Sequence, residues 1–300
     1  MSTQVIKESI TFQAEGLTLA GHLFKPANFD SSQRYPAVVT GGSLTSVKEQ
    51  MAGTYAQKLA EQGLIALAFD YRNFGESEGQ PRQFEDPQLK LEDLKAAVTF
   101  LSELPYVQAV GGLGVCTSGG NMAYLAAEDD RVNAVATVAS WLPNTATLPL
   151  LYGSPDKLQN LQQAGAKAQA KYTATGENTI IPAYHNTDTT ASHVGPMEYY
   201  MDANRGGGVK EWKNEFAVMS WEPWLAFDPM SKASAITTPF MMFHSDGSAL
   251  PDNAKQFFAA LKGEKQLVWG GGYHFDYYDN EEMIQRVVEQ VKDFFKAQLA

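Results

Sequence analysis

Residues 110–122 read VGGLGVCTSGGNM, an apolar run that ends at Cys116 and passes into two glycines and a helix-like segment. A strand that turns sharply into a helix can hold one reactive side chain clear of a sheet. Cys116 is the only cysteine in the chain, so an internal disulfide is excluded. A thiolate attacks a carbonyl well, and a histidine or a helix N-terminus beside it lowers the thiol pKa. Gly114 supplies the small residue that such a turn wants two positions before the nucleophile. Ser118 stands two positions after it. Centred on Ser118 instead, the motif reads Cys116-Thr117-Ser118-Gly119-Gly120, so the register leaves Ser118 as a second candidate nucleophile.

Acyl transfer also needs a base, a group that orients the base, and donors for the oxyanion. The base candidate is His274, after a short apolar run at 265–269 and three glycines at 270–272. Asp246 follows another apolar run and is the acid candidate, placed to fix the tautomer of His274. Its Asp-Gly context is also a turn signal. The oxyanion donors would be the backbone N–H of Thr117 and that of Ser43 or Leu44, in the loop after YPAVVT at 35–40. Trp141, Tyr199, Tyr200, Trp212, Trp221 and Trp224 are candidates to line an acyl pocket, although aromatics in a cap serve equally as its own core. His185 and His193 do not have metal-motif spacing and read as surface or pocket-rim residues. His244 reads as structural. No metal or organic cofactor is implied.

These residues need a scaffold. Residues 4–24 alternate apolar and polar around Glu15-Gly16, which predicts a β-hairpin. Strands are predicted at 35–40, 64–69, 109–115, 132–139, 236–243 and 265–269. Helices are predicted at 51–62, 89–104, 119–128, 253–261 and 281–299. Strands alternating with helices, with continuous apolar runs, predict a doubly wound, mostly parallel α/β sheet. The rhythm breaks over 142–230, which is rich in Pro, Thr, Asn and Trp. We read 1–141 and 231–300 as the core and 142–230 as an inserted cap over the strand ends where ligands bind in such sheets.

Asp70 to Ser77, DYRNFGES, resembles the D-x-R-G-x-G-x-S loop of the α/β-hydrolase superfamily, with Asn73 for the usual Gly. The cysteine elbow resembles dienelactone-hydrolase-like members, whose triad is Cys, Asp and His. Residues 41–50 and 199–228 are similar to a branch that includes uncharacterised hydrolases and polyketide-transferase-like proteins. The resemblance implies an α/β-hydrolase sheet with an inserted cap and a Cys116–Asp246–His274 triad. The acid loop is one residue shorter than the common pattern, and one alignment places Ser248 at the acid position.

The expected function is hydrolysis of an ester, thioester or lactone through an acyl-cysteine. An acyltransferase sharing the same intermediate is the alternative, and a ligand-binding protein on a hydrolase fold is a third reading. A net charge of −11 argues against nucleic acid as a partner. No apolar run reaches the roughly 18–20 residues of a spanning helix. The N-terminal sixteen residues lack a signal-peptide pattern. A lone thiol suits a reducing compartment, so the expected location is cytoplasmic, with a small-molecule acyl substrate. Self-association is compatible with the sequence, which does not set the oligomeric state.

Overall fold

The computed structural model describes residues 4–300. Residues 1–3, part of the stretch in which no leader pattern is read, lie outside the described residues. The hairpin forms as β1 (Ile6–Ala14) and β2 (Leu17–Lys25), antiparallel, with Glu15 and Gly16 at φ 48° and 83° in the turn. Two consecutive left-handed residues match the right-handed twist of the flanking strands. The other strands are β3 (Tyr35–Gly41), β4 (Ile65–Phe69), β5 (Val107–Val115), β6 (Val132–Val138), β7 (Phe240–Gly247) and β8 (Lys265–Tyr273). They form one eight-stranded sheet in the order β1-β2-β4-β3-β5-β6-β7-β8. From β3 to β8 every pairing is parallel.

Helices cover both faces, which is why the inner strands are apolar without alternation. On one side lie α1 (Met51–Glu61) and a C-terminal helix at Glu281–Gln298, packing Tyr55, Leu59, Val288 and Phe295. On the other lie α2 (Pro87–Ser102), α3 (Thr117–Glu128) and a helix at Pro251–Ala260, packing Leu94, Met122, Leu125 and Phe257. The doubly wound, mostly parallel α/β sheet expected from the sequence is therefore the observed architecture.

Strand limits differ from expectation chiefly at β7 and β8. β7 begins at Phe240, after Pro239, because Pro229–Ala235 forms a 3-10 helix and the ladder to β6 and β8 opens only at Phe240. β8 runs on through the three glycines to Tyr273, still paired with β7, rather than ending at Trp269.

The stretch between β6 and β7 is less irregular than its composition suggests. It holds a 21-residue helix, α4 (Pro155–Thr175), capped by the Ser154 hydroxyl on the Lys157 amide and closed by Gly176 in the left-handed region. Proline at its first turn and glycine just past its end are standard helix punctuation. Two short strand pairs follow, Ile180–Ile181 with Phe216–Ala217 and Tyr184–His185 with His193–Val194. Among the described residues, no helix is long and apolar enough to cross a membrane.

Candidate active site

Cys116 sits between the end of β5 and the start of α3, at φ 57° and ψ −118°. That strained conformation is held by its neighbours. Its N–H donates to the Val138 carbonyl, and its carbonyl accepts from the amides of Gly119 and Trp141. A Cβ on Gly114 would lie 2.1 Å from the Ser118 carbonyl oxygen, so the turn requires glycine at 114. Ser118 is tolerated where the sequence pattern wants a glycine because Gly41 opposite has no side chain. The Ser118 Oγ occupies that space and pairs with the Tyr71 hydroxyl at 3.1 Å. Cys116 lines a cavity of about 280 Å³, whereas Ser118 is fully buried away from it.

The Thr117 hydroxyl lies 3.8 Å from the Cys116 sulfur, and the Tyr278 hydroxyl and the backbone N–H groups of Thr117 and Leu44 are placed to favour its thiolate form. Burial pushes the thiol pKa up, and these donors pull it partly back. Of the two residues considered in the β3 loop, Leu44 has its backbone amide beside the Cys116 sulfur, and the Ser43 hydroxyl accepts from Tyr200 at 2.5 Å and lies against the Met51 sulfur.

Residues far along the chain pin that loop. The Tyr184 hydroxyl donates to the Leu44 carbonyl at 2.9 Å. The rings of Tyr184 and Tyr200 stack with centroids 3.7 Å apart. The Trp212 indole N–H reaches the Thr45 hydroxyl at 3.4 Å. Beneath the loop, the Lys48 ammonium and amide both bind the Asp70 carboxylate, at 2.8 and 2.7 Å. Asn73 takes φ 74°, the conformation for which the related loops use glycine, and Asn is among the few other residues that tolerate it.

His274 follows β8 and lines the same cavity. Its Nδ1 accepts from the Ala249 amide at 3.2 Å, and its Nε2 pairs with the Tyr278 hydroxyl at 3.0 Å. A backbone donor on Nδ1 leaves the neutral ring's proton on Nε2. The ring therefore donates to Tyr278, and the Tyr278 hydrogen is free to point at the Cys116 sulfur. Desolvation, with a smaller contribution from His244, lowers the His274 pKa to about 3. The ring is neutral at ordinary pH.

The expected acid is not there. Asp246 points outward from the end of β7 with a side chain 76% exposed, and it accepts from Lys255 at 3.1 Å. The physical cause is the alternation of side chains in an extended strand: Ser245 faces inward and donates to the Gly272 carbonyl, so its neighbour faces solvent. Ser248, the other position considered, hydrogen-bonds Ser245 at 2.8 Å rather than His274. Among the described residues, no carboxylate hydrogen-bonds His274.

The aromatic candidates divide. Trp141 and Trp224 stack 6.4 Å apart on the cavity wall. Trp221 faces an adjoining cavity instead. Tyr199 is buried behind the wall, edge-on to Tyr278 at 5.0 Å, where it braces that ring. His193, read as a surface or rim residue, is part of the wall, and His185 accepts from the amides of Thr187 and Asp188. His244 is buried against the carbonyls of Ser245 and Ser140. Tyr200, a pocket candidate from the sequence, lines the cavity, whereas the residues missed from sequence are Tyr278 and Tyr184. Only Tyr278 left a signal, four places after His274, the spacing at which helical neighbours meet. No cluster of three or more His, Cys, Asp or Glu suited to a metal ion occurs among the described residues.

The sheet order and the cysteine elbow define a hydrolase-type α/β protein. Residues 41–281 match the α/β hydrolase fold family, and the chain belongs to that family. It is 32% identical to the uncharacterized protein PA2218 of Pseudomonas aeruginosa, over 100% of this chain and 82% of the relative. The crystal structure of that hypothetical protein superposes with a TM-score of 0.84, covering 99% of this chain and 95% of that one, at 28% identity. A protein named thiohydrolase aneE, from Aspergillus aculeatus, is 28% identical over 84% of this chain and 81% of its own. A polyketide transferase, grgF, from a Penicillium species is 26% identical over 95% and 94%.

Proposed function

We propose that this chain is a cysteine-dependent hydrolase of activated acyl groups, thioesters foremost, acting through an acyl-Cys116 intermediate. One observation carries the reading: the Cys116 thiol, two converging backbone amides and the His274–Tyr278 pair line a single cavity. The segment 142–230 serves as its cap, since Tyr184, His193, Met197, Tyr200 and Trp224 all come from it.

In this mechanism Cys116 attacks the acyl carbonyl as the thiolate. The developing oxyanion takes the N–H groups of Leu44 and Thr117, each worth about 3–4 kcal/mol when pre-positioned. Tyr278, oriented by His274, supports the negative charge on sulfur. When the carbonyl reforms, its bond to the leaving group breaks, and the leaving group takes up from solvent the equivalent of the proton that the Cys116 thiol gave up on forming the thiolate, leaving acyl-Cys116. Water then attacks the acyl carbonyl, the bond from that carbon to the Cys116 sulfur breaks, and the proton that water loses returns to the sulfur, which releases the acid and restores the thiol. The absent carboxylate favours thioesters. A thiol displacing a thiol is close to balanced and needs little help from a base, whereas an alkoxide leaving group needs more.

A second reading has its own support. An imidazole held at Nδ1 by an amide donor is a weak base, so deacylation by water is slow. A persistent acyl-enzyme then favours transfer to an added thiol or alcohol, as in an acyltransferase.

The test is intact-mass analysis after mixing with an acetyl thioester and with p-nitrophenyl acetate, with the adduct mapped by peptide. The proposal expects one acyl group on Cys116 and loss of turnover in Cys116→Ala but not in Ser118→Ala. An adduct on Ser118, or full turnover in Cys116→Ala, overturns it. Acylated acceptor formed at the expense of free acid would select the transferase reading.

A further inference from the structure

A second cavity, of about 370 Å³, lies beside the one that holds Cys116. The two share Trp141, His193 and Met197, so side chains alone divide them. The parts of this partition differ in freedom. His193 is locked: Ser192 donates to the Ala183 carbonyl at 2.7 Å and so accepts from the His193 Nδ1–H. The His193 Nε2 then accepts from the Tyr152 hydroxyl at 3.0 Å, which itself accepts from the Trp224 indole at 2.7 Å. With both nitrogens used, this histidine is a fixed neutral wall. Met197 is half-buried and has an unbranched, readily rearranged side chain. The Trp141 indole N–H is buried and has no hydrogen-bond partner. Such a group is costly to leave unpaired, and a ligand oxygen would satisfy it.

The chambers also differ in chemistry. The first is walled mainly by aromatic and aliphatic groups. The second has an apolar floor of Leu161, Ile181 and Trp221 and a rim of Thr189, Thr190 and Lys157, all three exposed. No ion pair engages Lys157 among the described residues.

We propose that the two chambers form one acyl channel divided by Met197, which takes a long acyl chain bearing an oxygen function toward its far end. The carbonyl lies at Cys116, the chain passes Trp141 and Met197, and the oxygenated end reaches the Thr189–Thr190–Lys157 rim. This inference rests on the acyl-Cys116 reading and adds the substrate class.

The experiment compares acetyl, octanoyl, dodecanoyl and ω-hydroxydodecanoyl thioesters of one thiol, with wild type, Leu161→Trp and Thr189→Trp. Both substitutions fill the second chamber from positions outside the first, and Thr189 is exposed, so that variant does not depend on core repacking. In wild type, kcat/KM is expected to rise about tenfold or more from acetyl to dodecanoyl, with the ω-hydroxy chain at least equal to the plain one. Each tryptophan is expected to cut the dodecanoyl-to-acetyl ratio by about tenfold. A flat wild-type series, a ratio that neither variant changes, or a clear penalty for the ω-hydroxyl overturns the proposal. Failure of the acyl-cysteine reading is visible separately, as acetyl turnover that survives Cys116→Ala.

Discussion

The Ala249 amide donates to His274 Nδ1 at 3.2 Å, in the position where a triad carboxylate would accept. An acceptor there would stabilise imidazolium; a donor opposes it. Desolvation, with a smaller contribution from His244, keeps His274 neutral, with a pKa lowered to about 3. The Cys116 thiol shifts the other way, up from its ordinary value because it is buried. A lowered histidine pKa means no change of charge across the usual assay range. A raised thiol pKa means that the thiolate fraction, and the rate, climb as pH rises. The expected kcat/KM profile therefore has one ascending limb that follows the thiol and no inflection in the normal histidine range. The rate of iodoacetamide inactivation against pH checks this. A plateau from mildly acidic to neutral pH would mean a thiolate–imidazolium pair and would contradict the geometry.

Tyr278 links the ring to the sulfur, so Tyr278→Phe removes the link while keeping the packing against Tyr199 and Phe275. We expect kcat to fall by about ten- to a hundredfold with KM little changed. The iodoacetamide profile should also move to higher pH, because one donor to the sulfur is lost. An unmoved profile would leave Tyr278 with packing alone.

Asp246→Asn is expected to change kcat/KM by no more than about twofold, as for an exposed residue away from the reacting groups. Steady-state kinetics decide this. A large loss would mean that the β7–β8 loop rearranges in solution to bring the carboxylate onto His274.

Tyr184→Phe leaves the Leu44 carbonyl without its buried donor. Such an orphaned acceptor costs about 1–3 kcal/mol, and thermal unfolding should register it. On the acyl-Cys116 reading Leu44 carries an oxyanion amide on the same loop, so kcat should fall more than KM rises.

Much of this arrangement is legible in the chain. Continuous apolar runs place β3 to β6, Glu15-Gly16 places the hairpin turn, and the run into Cys116 marks the elbow. Asp246 misleads because linear spacing does not reveal which face of β7 a side chain takes, and a one-residue change of parity sends the carboxylate to solvent. The long helix α4 is hidden by its own surface. Only Gly165 and Ala168 are fully buried, so Ala, Gln and Lys give it little apolar periodicity, although Ser154-Pro155 and Gly176 punctuate both ends. The contacts of Tyr184 and Tyr200 with the β3 loop are invisible for another reason. Their partners on the β3 loop lie 140 and 157 residues away, and phenols in a polar, proline-rich stretch carry no mark of that contact.

That long-range clasp joins two properties that many enzymes keep separate. On the acyl-Cys116 reading, the same phenols that shape the chamber also fix the dipole that would meet the reacting carbonyl. Remodelling this segment for a new acyl group would therefore disturb turnover along with selectivity. Transplanting it between relatives would succeed only if Tyr184, Tyr200 and the Ser43–Leu44 peptide travel as one unit.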